Sequence, residues 1–463
     1  MANLRYPATS TTATATELFR ISGRRVPDPL IRAYLHLKAA CARANWDCGV
    51  LSTGNRNALL KAIKWIREHE ELWPELFPID RFQSGAGTTL NMNVNEAISR
   101  IARRKFQASL HPNDVVNRSQ STNDTYPTML RVALLTLIPE LAAALGELRQ
   151  SLAKKSEEFA DIPKAGRTHL QDAVPMKLGE QFGSYVRTLE KLETRLADAR
   201  ACLLEMPLGG TAVGNGIASP EGFRTAALKH LRRETGIDDL QAPRNPFEAQ
   251  ASALDFLTLA HALGSVGVEL QRIASDLRLQ ASGPFTGIHE LDFPKLVPGS
   301  SIMPGKTNPS GLELLHQVLI EALGVQTMTS WAASLGQFEL NVMLPAIAPA
   351  LVESIGSLAR ALEFISEHVI VPMTADVARV ERHWKSTEQW ATLLSPEWGY
   401  DRVAGWVRQS RDAGEPFLEW VQKNQGIEIT PPTRARHRSS SVRGRAPARA
   451  RARGRARARR TKR

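Results

Sequence analysis

Long stretches of this chain carry apolar residues at the three- and four-residue spacing that is typical of amphipathic helices. In the clearest stretch the apolar positions follow one another at steps of 4, 3, 4, 3 and 4: Leu178, Phe182, Tyr185, Leu189, Leu192 and Leu196. The segments near 128–160, 246–282 and 310–368 have the same character and lack the alternation that marks β-strands. Because such stripes must pack on one another to avoid water, the pattern predicts a central bundle of long helices.

The pattern changes on both sides of this bundle. Residues 1–126 mix shorter helices, one of them predicted from Leu51 to Glu70, with loops rich in Gly and Asn. The bundle is assigned to 127–375, and a small helical domain with several Trp residues to 376–428. The last stretch, 429–463, consists mainly of Arg and Ala and is predicted to be disordered, because it cannot form an apolar core. The sequence therefore predicts a mainly α fold of three domains, followed by an Arg-rich tail.

The net charge is concentrated in this tail. The chain has 463 residues and a formal charge of +12, but Pro431–Arg463 contains thirteen Arg and one Lys without any acidic residue. The remaining 45 basic and 47 acidic residues leave the body of the protein slightly negative, like an ordinary metabolic enzyme. The tail is predicted to bind nucleic acid or other polyanions non-specifically.

Other compositional features narrow the class of protein. Three cysteines, an odd and sparse set, favour a reducing cytoplasm over a disulfide framework. The N-terminus lacks the apolar core of a signal peptide, and no uninterrupted apolar run is long enough to cross a bilayer. Cys and His are not clustered at the spacing of metal ligands. We therefore expect a cytoplasmic protein without a membrane anchor, a metal or an organic cofactor.

The most informative local segment is Gly299-Ser-Ser-Ile-Met-Pro-Gly-Lys-Thr-Asn-Pro309. Gly299 and Gly305 allow the backbone to turn tightly and to bring amide groups close to a ligand. Lys306 contributes a positive charge within the same segment. Such a loop can hold a small anion and place a hydroxyl group beside it.

Three further segments are rich in Ser, Thr, Asn and His. They are Ser84–Glu96, His111–Asp124 and the run Gly166-Arg-Thr-His-Leu-Gln-Asp172. Together with the Gly299–Pro309 loop, in this order and at these distances, they resemble the signature of the fumarase/aspartase superfamily. The resemblance covers almost the whole body of the chain. It implies a three-domain fumarase/aspartase-like fold and a lyase that interconverts fumarate with a substituted succinate.

The resemblance also implies a role for particular residues. It assigns Ser300 as the base, His169 as the residue that contacts the leaving group or its water, and Glu313 as the carboxylate partner of this histidine. The substrate's two carboxylates and its leaving group require many hydrogen-bond donors. The residues implied to bind them are Thr88, Ser121, Thr122, Asn123, Thr168, Ser301, Lys306 and Asn308.

The same resemblance implies a homotetramer, because in this superfamily the motif regions meet only across chains. Each active site would then combine residues from three subunits.

The choice between the two main activities rests on mixed features. The strings Gly85-Ala-Gly-Thr88 and Leu170-Gln-Asp-Ala-Val-Pro-Met176 resemble aspartases, whereas His111 and Gln337-Phe-Glu-Leu340 resemble fumarases. Ala86 stands where fumarases usually have Ser. On this basis the first hypothesis is an aspartate ammonia-lyase that converts aspartate to fumarate and ammonia. Fumarate hydratase is the alternative, and a non-catalytic relative that binds polyanions is a minor one.

Overall fold

The computed structural model of the chain describes residues 6–429, which form two compact units. The first unit comprises residues 6–164 and Lys177–Trp384, and the second comprises Ala165–Met176 and the described residues from Lys385 onward. The Arg-rich tail lies outside the described residues, so its predicted disorder and polyanion binding stay predictions. The three predicted domain boundaries also stay predictions.

The first unit begins with helices of moderate length. Ser side chains accept hydrogen bonds from backbone N–H groups at two of the helix starts, Ser10 from Ala13 and Ser52 from Asn55, which is the usual role of Ser at an N-cap. These helices are α1 (Thr11–Leu18), α2 (Asp28–Asp47), α3 (Thr53–Glu68), α4 (Trp73–Leu76) and α5 (Thr88–Phe106).

Long helices form the centre of the first unit, as the periodicity predicted. They are α6 (Thr122–Glu158), α7 (Leu178–Cys202), α10 (Leu254–Gln280), α11 (Ser310–Ser334) and α12 (Leu344–Ile365), with the shorter α8 (Phe223–Thr235) and α9 (Pro246–Ala251) between them. The six stripe residues of α7, Leu178 to Leu196, are all at most 3% exposed. The mainly helical fold with a central bundle is therefore confirmed.

Helix α6 is the longest element, with 37 residues. By length and composition it could span a membrane, but 61% of its most apolar window is buried inside the structure. A helix at the centre of a bundle must be apolar on most of its surface, because other helices surround it. Its composition is thus accounted for by burial within the fold.

The structure also contains two small pairs of strands, one mostly in the second unit and one in the first. Strands β1 (Pro163–Thr168) and β2 (Gln171–Lys177) pair with each other across a two-residue turn. Strands β3 (Leu291–Asp292) and β4 (Thr374–Ala375) pair antiparallel. Four helices follow: α13 (Val377–Ser386), α14 (Ala391–Trp398), α15 (Tyr400–Ala413) and α16 (Phe417–Gln425).

Candidate active site

The start of helix α6 carries three of the predicted substrate-binding residues. Ser121 is the N-cap, and its hydroxyl oxygen accepts a hydrogen bond from the Asn123 backbone N–H at 3.2 Å. Asp124 completes a capping box by accepting from the Ser121 backbone N–H at 2.9 Å. Since the Ser121 oxygen is occupied as an acceptor, its hydroxyl proton is available to a ligand. The side-chain amide of Asn123 donates to the Ala212 carbonyl at 2.9 Å.

Asp124 ties the same helix start to a distant turn. Its second carboxylate oxygen accepts from the backbone N–H groups of Gly209 and Thr211, both at 3.0 Å. The side chain is fully buried, and this burial raises the pKa of Asp124 to about 7, although the three N–H donors and Lys38 oppose the shift. The carboxylate therefore joins residues that are more than 80 positions apart in the chain.

Thr88 follows a tight turn in which three successive residues have left-handed backbone angles. The φ values of Gly85, Ala86 and Gly87 are 64°, 53° and 92°. A side chain on Gly87 would meet the ring of Tyr126 at about 2.1 Å, so only Gly fits there. Because Tyr126 lies in the first turns of α6, this close contact fixes the Thr88 turn against the helix that carries Ser121.

The Gly299–Pro309 loop is largely exposed and makes its hydrogen bonds mostly within itself. The hydroxyl oxygen of Ser300 accepts from the backbone N–H groups of Ile302 and Met303, at 3.2 and 3.0 Å. The Asn308 side chain donates to the Gly299 carbonyl at 2.8 Å and so joins the two ends of the loop. Ser301 and Lys306 are exposed. Two N–H groups aimed at the Ser300 oxygen favour its anionic form.

His169 and Leu170 form the turn between β1 and β2, with φ values of 57° and 60°. A two-residue hairpin turn of this kind usually contains Gly or Asn, because other residues are strained at positive φ. Thr168, at the end of β1, and His169 are exposed. The hairpin was not predicted, because Gly and Pro in these strands hide the β-pattern. The His169 side chain is therefore accessible at the tip of the hairpin.

Glu313, in the first turn of α11, lies 3.6 Å from the Arg278 guanidinium within the chain. The predicted pairing of Glu313 with His169 stays a prediction. One helical turn later, His316 is 9% exposed and both ring nitrogens lack a partner in residues 6–429. Burial and the charge of Arg278 lower the pKa of His316.

The motifs alone did not reveal a buried polar cluster behind Thr122. Lys38 on α2 is 1% exposed and donates to three amide oxygens, those of Asn91, Asn117 and Gln120, at 2.8 to 2.9 Å. Asn91 in turn donates to the Thr122 hydroxyl oxygen at 3.2 Å. Lys38 lies on a mostly apolar helix face, and a charged residue at such a position was the available indication in the sequence. A charged residue in such a position is costly to bury and needs a reason.

Direct contacts join some of the predicted residues within the first unit. The Thr88 turn, the start of α6 and the Gly209–Thr211 turn are linked by direct contacts. The hydrogen bonds of Ser300 and Asn308 run to other residues of the Gly299–Pro309 loop. His169 belongs to the second unit. No group of three or more His, Cys, Asp or Glu side chains within residues 6–429 is placed to hold a metal ion.

Comparison with known proteins identifies the class. A family model described as Lyase matches residues 8–324. The chain therefore belongs to this lyase family, the fumarase/aspartase superfamily. It is 39% identical to class II fumarate hydratase from Mycobacterium tuberculosis, over 89% of this chain and 87% of that protein. For class II fumarate hydratase from Saccharolobus solfataricus the identity is 37%, over 85% and 89%.

Solved structures agree with this assignment. Class II fumarase from Schistosoma mansoni superimposes with a TM-score of 0.86 at 29% identity, covering 91% of this chain and 94% of that one. A fumarate lyase:delta crystallin from Brucella melitensis has the same TM-score and coverage at 36% identity.

By this comparison the first hypothesis, aspartate ammonia-lyase, is wrong. The alternative, fumarate hydratase, is favoured. Ala86 favoured an aspartase because fumarases usually have Ser at this position. Its side chain is 8% exposed in the left-handed turn and differs from Ser by one oxygen atom. A single buried methyl group is a weak indicator of whether the leaving group is ammonia or water.

Proposed function

We propose that this chain is a fumarate hydratase that reversibly converts malate to fumarate and water. The observation that carries the proposal is the 39% identity to a class II fumarate hydratase over 89% of the chain. The Gly299–Pro309 loop supports it, because two backbone N–H groups donate to the oxygen of the candidate base, Ser300. The reaction removes a proton from the carbon next to one carboxylate and hydroxide from the neighbouring carbon.

Ser300 is the proposed base. A serine hydroxyl is ordinarily far too weak an acid to be ionised, so its environment must stabilise the alkoxide. The N–H groups of Ile302 and Met303 point at its oxygen and do this directly. The alkoxide takes the carbon-bound proton, and the electron pair passes into the adjacent carboxylate, which becomes a doubly charged aci-carboxylate.

The proposed donors surround the two carboxylates of malate. Thr88, Ser121, Thr122 and Ser301 hold the carboxylate that accumulates charge, while Thr168, Lys306 and Asn308 hold the other one. Fixed donors aimed at developing charge are usually the largest contribution to catalysis of this kind. The capping box supports the role of Ser121, because it leaves the hydroxyl proton free to donate.

The departing hydroxide needs a proton, and we assign this task to His169, with Asn123 beside it and Glu313 as its partner. The exposed position of His169 in a strained turn supports this role. When hydroxide leaves with this proton it becomes water, and the electron pair of the aci-carboxylate returns to form the double bond of fumarate.

We further propose that the sites form in a homotetramer. Helix α11 and the residue that follows it expose an apolar row, in which Ile320 is 59%, Met328 36%, Trp331 72% and Leu335 53% exposed in the single chain. A row of this kind on a long central helix marks an interface. Trp331→Arg should therefore convert the tetramer to smaller species, as measured by light scattering. A monomeric wild-type chain would contradict the proposed assembly.

The activity is tested by the ultraviolet absorbance of fumarate. Purified protein should produce fumarate from malate without added cofactor, and produce none from aspartate. Fumarate formation from aspartate but not from malate would overturn the proposal. Loss of the malate reaction in Ser300→Ala, with an unchanged melting temperature, excludes a contaminating enzyme as the source of activity.

A further inference from the structure

Lys38 occupies a position that substrate binding as described above does not explain. It is a charged side chain, 1% exposed, whose ammonium group contacts three neutral amides and no carboxylate in the described part of the chain. Burial lowers the pKa of Lys38 to about 7. Burying a lysine costs free energy, so we expect its ammonium group to have a role that an apolar side chain could not fill.

The bonds around Lys38 have a fixed direction. A lysine ammonium can only donate hydrogen bonds, so the side-chain oxygen of Asn91 must face it. The NH₂ group of Asn91 then donates to two oxygens, the hydroxyl oxygen of Thr122 and the side-chain oxygen of Asn117, both at 3.2 Å. With its oxygen occupied as an acceptor, Thr122 has its proton left to donate. Within residues 6–429, the Thr122 hydroxyl takes part in no hydrogen bond other than the one from Asn91.

We propose that Lys38 is a positioning residue which, through the side-chain amide of Asn91, directs the hydroxyl proton of Thr122 towards the substrate carboxylate. The chain of bonds runs from the ammonium group to the amide oxygen and from the amide NH₂ to the hydroxyl oxygen. Each member is a donor towards the ligand, and the ammonium charge polarises the two that follow. This inference rests on the proposed function, because it uses the assignment of Thr122 to a carboxylate of malate.

The decisive variant is Asn91→Asp, which changes almost no volume, reverses the bond to Thr122 and removes the bond to the Asn117 side-chain oxygen. An aspartate still accepts from Lys38, and it gives this lysine an ion-pair partner. However, it cannot donate to Thr122 and instead accepts the hydroxyl proton, turning it away from the ligand. We expect the KM for malate and the dissociation constant of succinate, measured by calorimetry, to rise at least about tenfold. Succinate is a suitable probe because it has the two carboxylates and no leaving group.

A matched control is available on the same helix. Asn93 is fully buried and donates to the Leu76 carbonyl and to two hydroxyl oxygens. Asn93→Asp therefore buries a new carboxylate of the same kind but not beside Thr122. It should lower the melting temperature and leave succinate binding within about twofold. If it weakens succinate binding as much as Asn91→Asp does, the effect of the latter is merely structural and the proposal fails.

A second pair of variants tests the lysine itself. Lys38→Met removes the ammonium group and should weaken succinate binding. Lys155→Met removes another buried lysine, 7% exposed, which donates to Glu158 and to the Met373 carbonyl. The Lys155 variant should lose stability only. Equal succinate affinity in Lys38→Met and the wild type would overturn the assignment.

Thr122→Val separates this inference from the proposed function. Because Asn91 acts through Thr122, combining Asn91→Asp with Thr122→Val should weaken succinate binding no more than either change alone. If Thr122→Val weakens succinate binding and Asn91→Asp does not, the assignment of Thr122 to the substrate is retained and the proposed role of Lys38 is wrong. If the wild type neither converts malate nor binds succinate, the proposed function is wrong and this assignment fails with it.

Discussion

The start of helix α6 and the Gly299–Pro309 loop both carry candidate active-site residues, but they are built in opposite ways. Asp124 at the helix start is fully buried and accepts hydrogen bonds from three backbone N–H groups, two of them in a distant turn. In the loop, residues 301–307 are all exposed, and within residues 6–429 the side chains of Ser300 and Asn308 form hydrogen bonds only with other loop residues.

This difference corresponds to two tasks that a lyase must perform. Donors that hold a carboxylate are most effective when they are fixed before the substrate arrives, because no energy is then spent on ordering them. A base on an exposed loop can admit the substrate and then close over it, which excludes water. We therefore expect substitutions in the loop to lower turnover and leave stability unchanged. Substitutions at the helix start should lower both turnover and stability.

The largest effect is expected for Ser300→Ala. This change removes the proposed base from an exposed loop and takes nothing from the core. Turnover of malate should fall by about 10⁴-fold, the upper end of what an acid–base group contributes, while the melting temperature stays the same. Thr307→Val removes a hydroxyl from the same loop and should retain activity. A Ser300→Ala protein within a few-fold of the wild type would exclude this serine as the base.

Lys306→Gln should have the next largest effect. The exposed ammonium group serves the bound substrate and serves the doubly charged intermediate more strongly, so kcat should fall and KM should rise. We expect kcat/KM to drop by about 10²-fold. Lys295→Gln, at another exposed position ahead of the loop, is the control. Equal losses in the two variants would show that general attraction of the dianion, and not a specific contact, is responsible.

Asp124→Asn should reduce both stability and activity. An asparagine has one oxygen for N–H donors on two sides, so its NH₂ group must face at least one of them. Each buried group left without a partner costs about 1–3 kcal/mol. Urea unfolding should show this loss, and KM should rise because Ser121 is no longer held. Asp161→Asn, whose side chain is 97% exposed, should do neither. A stable but inactive Asp124→Asn protein would contradict the expectation that substitutions at the helix start affect both stability and activity.

The pH dependence of stability tests the same carboxyl group. Its pKa is raised by burial to about 7, from about 3.9 for an exposed aspartate. A raised pKa favours the native state most below pH 4, and this contribution declines as the pH rises through 7. The free energy of unfolding of the wild type relative to Asp124→Asn should therefore decrease between pH 4 and pH 7. A constant difference across this range would contradict the raised pKa.

The smallest effect is expected from truncation after Thr430. The candidate active-site residues all precede this point, so kcat/KM should change by less than about twofold. The truncated protein should bind DNA less well than the full chain at low salt, and this difference should shrink at moderate salt. If the two proteins bind DNA equally at low salt, the tail has no role in polyanion binding.

The helical fold and the superfamily could be predicted from the sequence, because the relevant signals are local. The spacing of Leu178, Tyr185 and Leu192 predicted a buried helix face, and the structure has it. The order of the Ser-, Thr- and Asn-rich segments indicated the superfamily, which the family model confirms. Substrate choice could not be predicted in this way. Ala and Ser at position 86 differ by a single oxygen atom, and the aspartase hypothesis was wrong.

Only the tertiary structure decided how the donors are held. Lys38 contacts Asn91, which is 53 residues away, and Asp124 contacts Gly209, which is 85 residues away. No local pattern encodes such contacts, because they depend on how whole helices pack. The same holds for the direction of the Thr122 hydroxyl proton, which follows from a lysine buried on a different helix. Local periodicity determines which residues are available, and packing determines which way they donate.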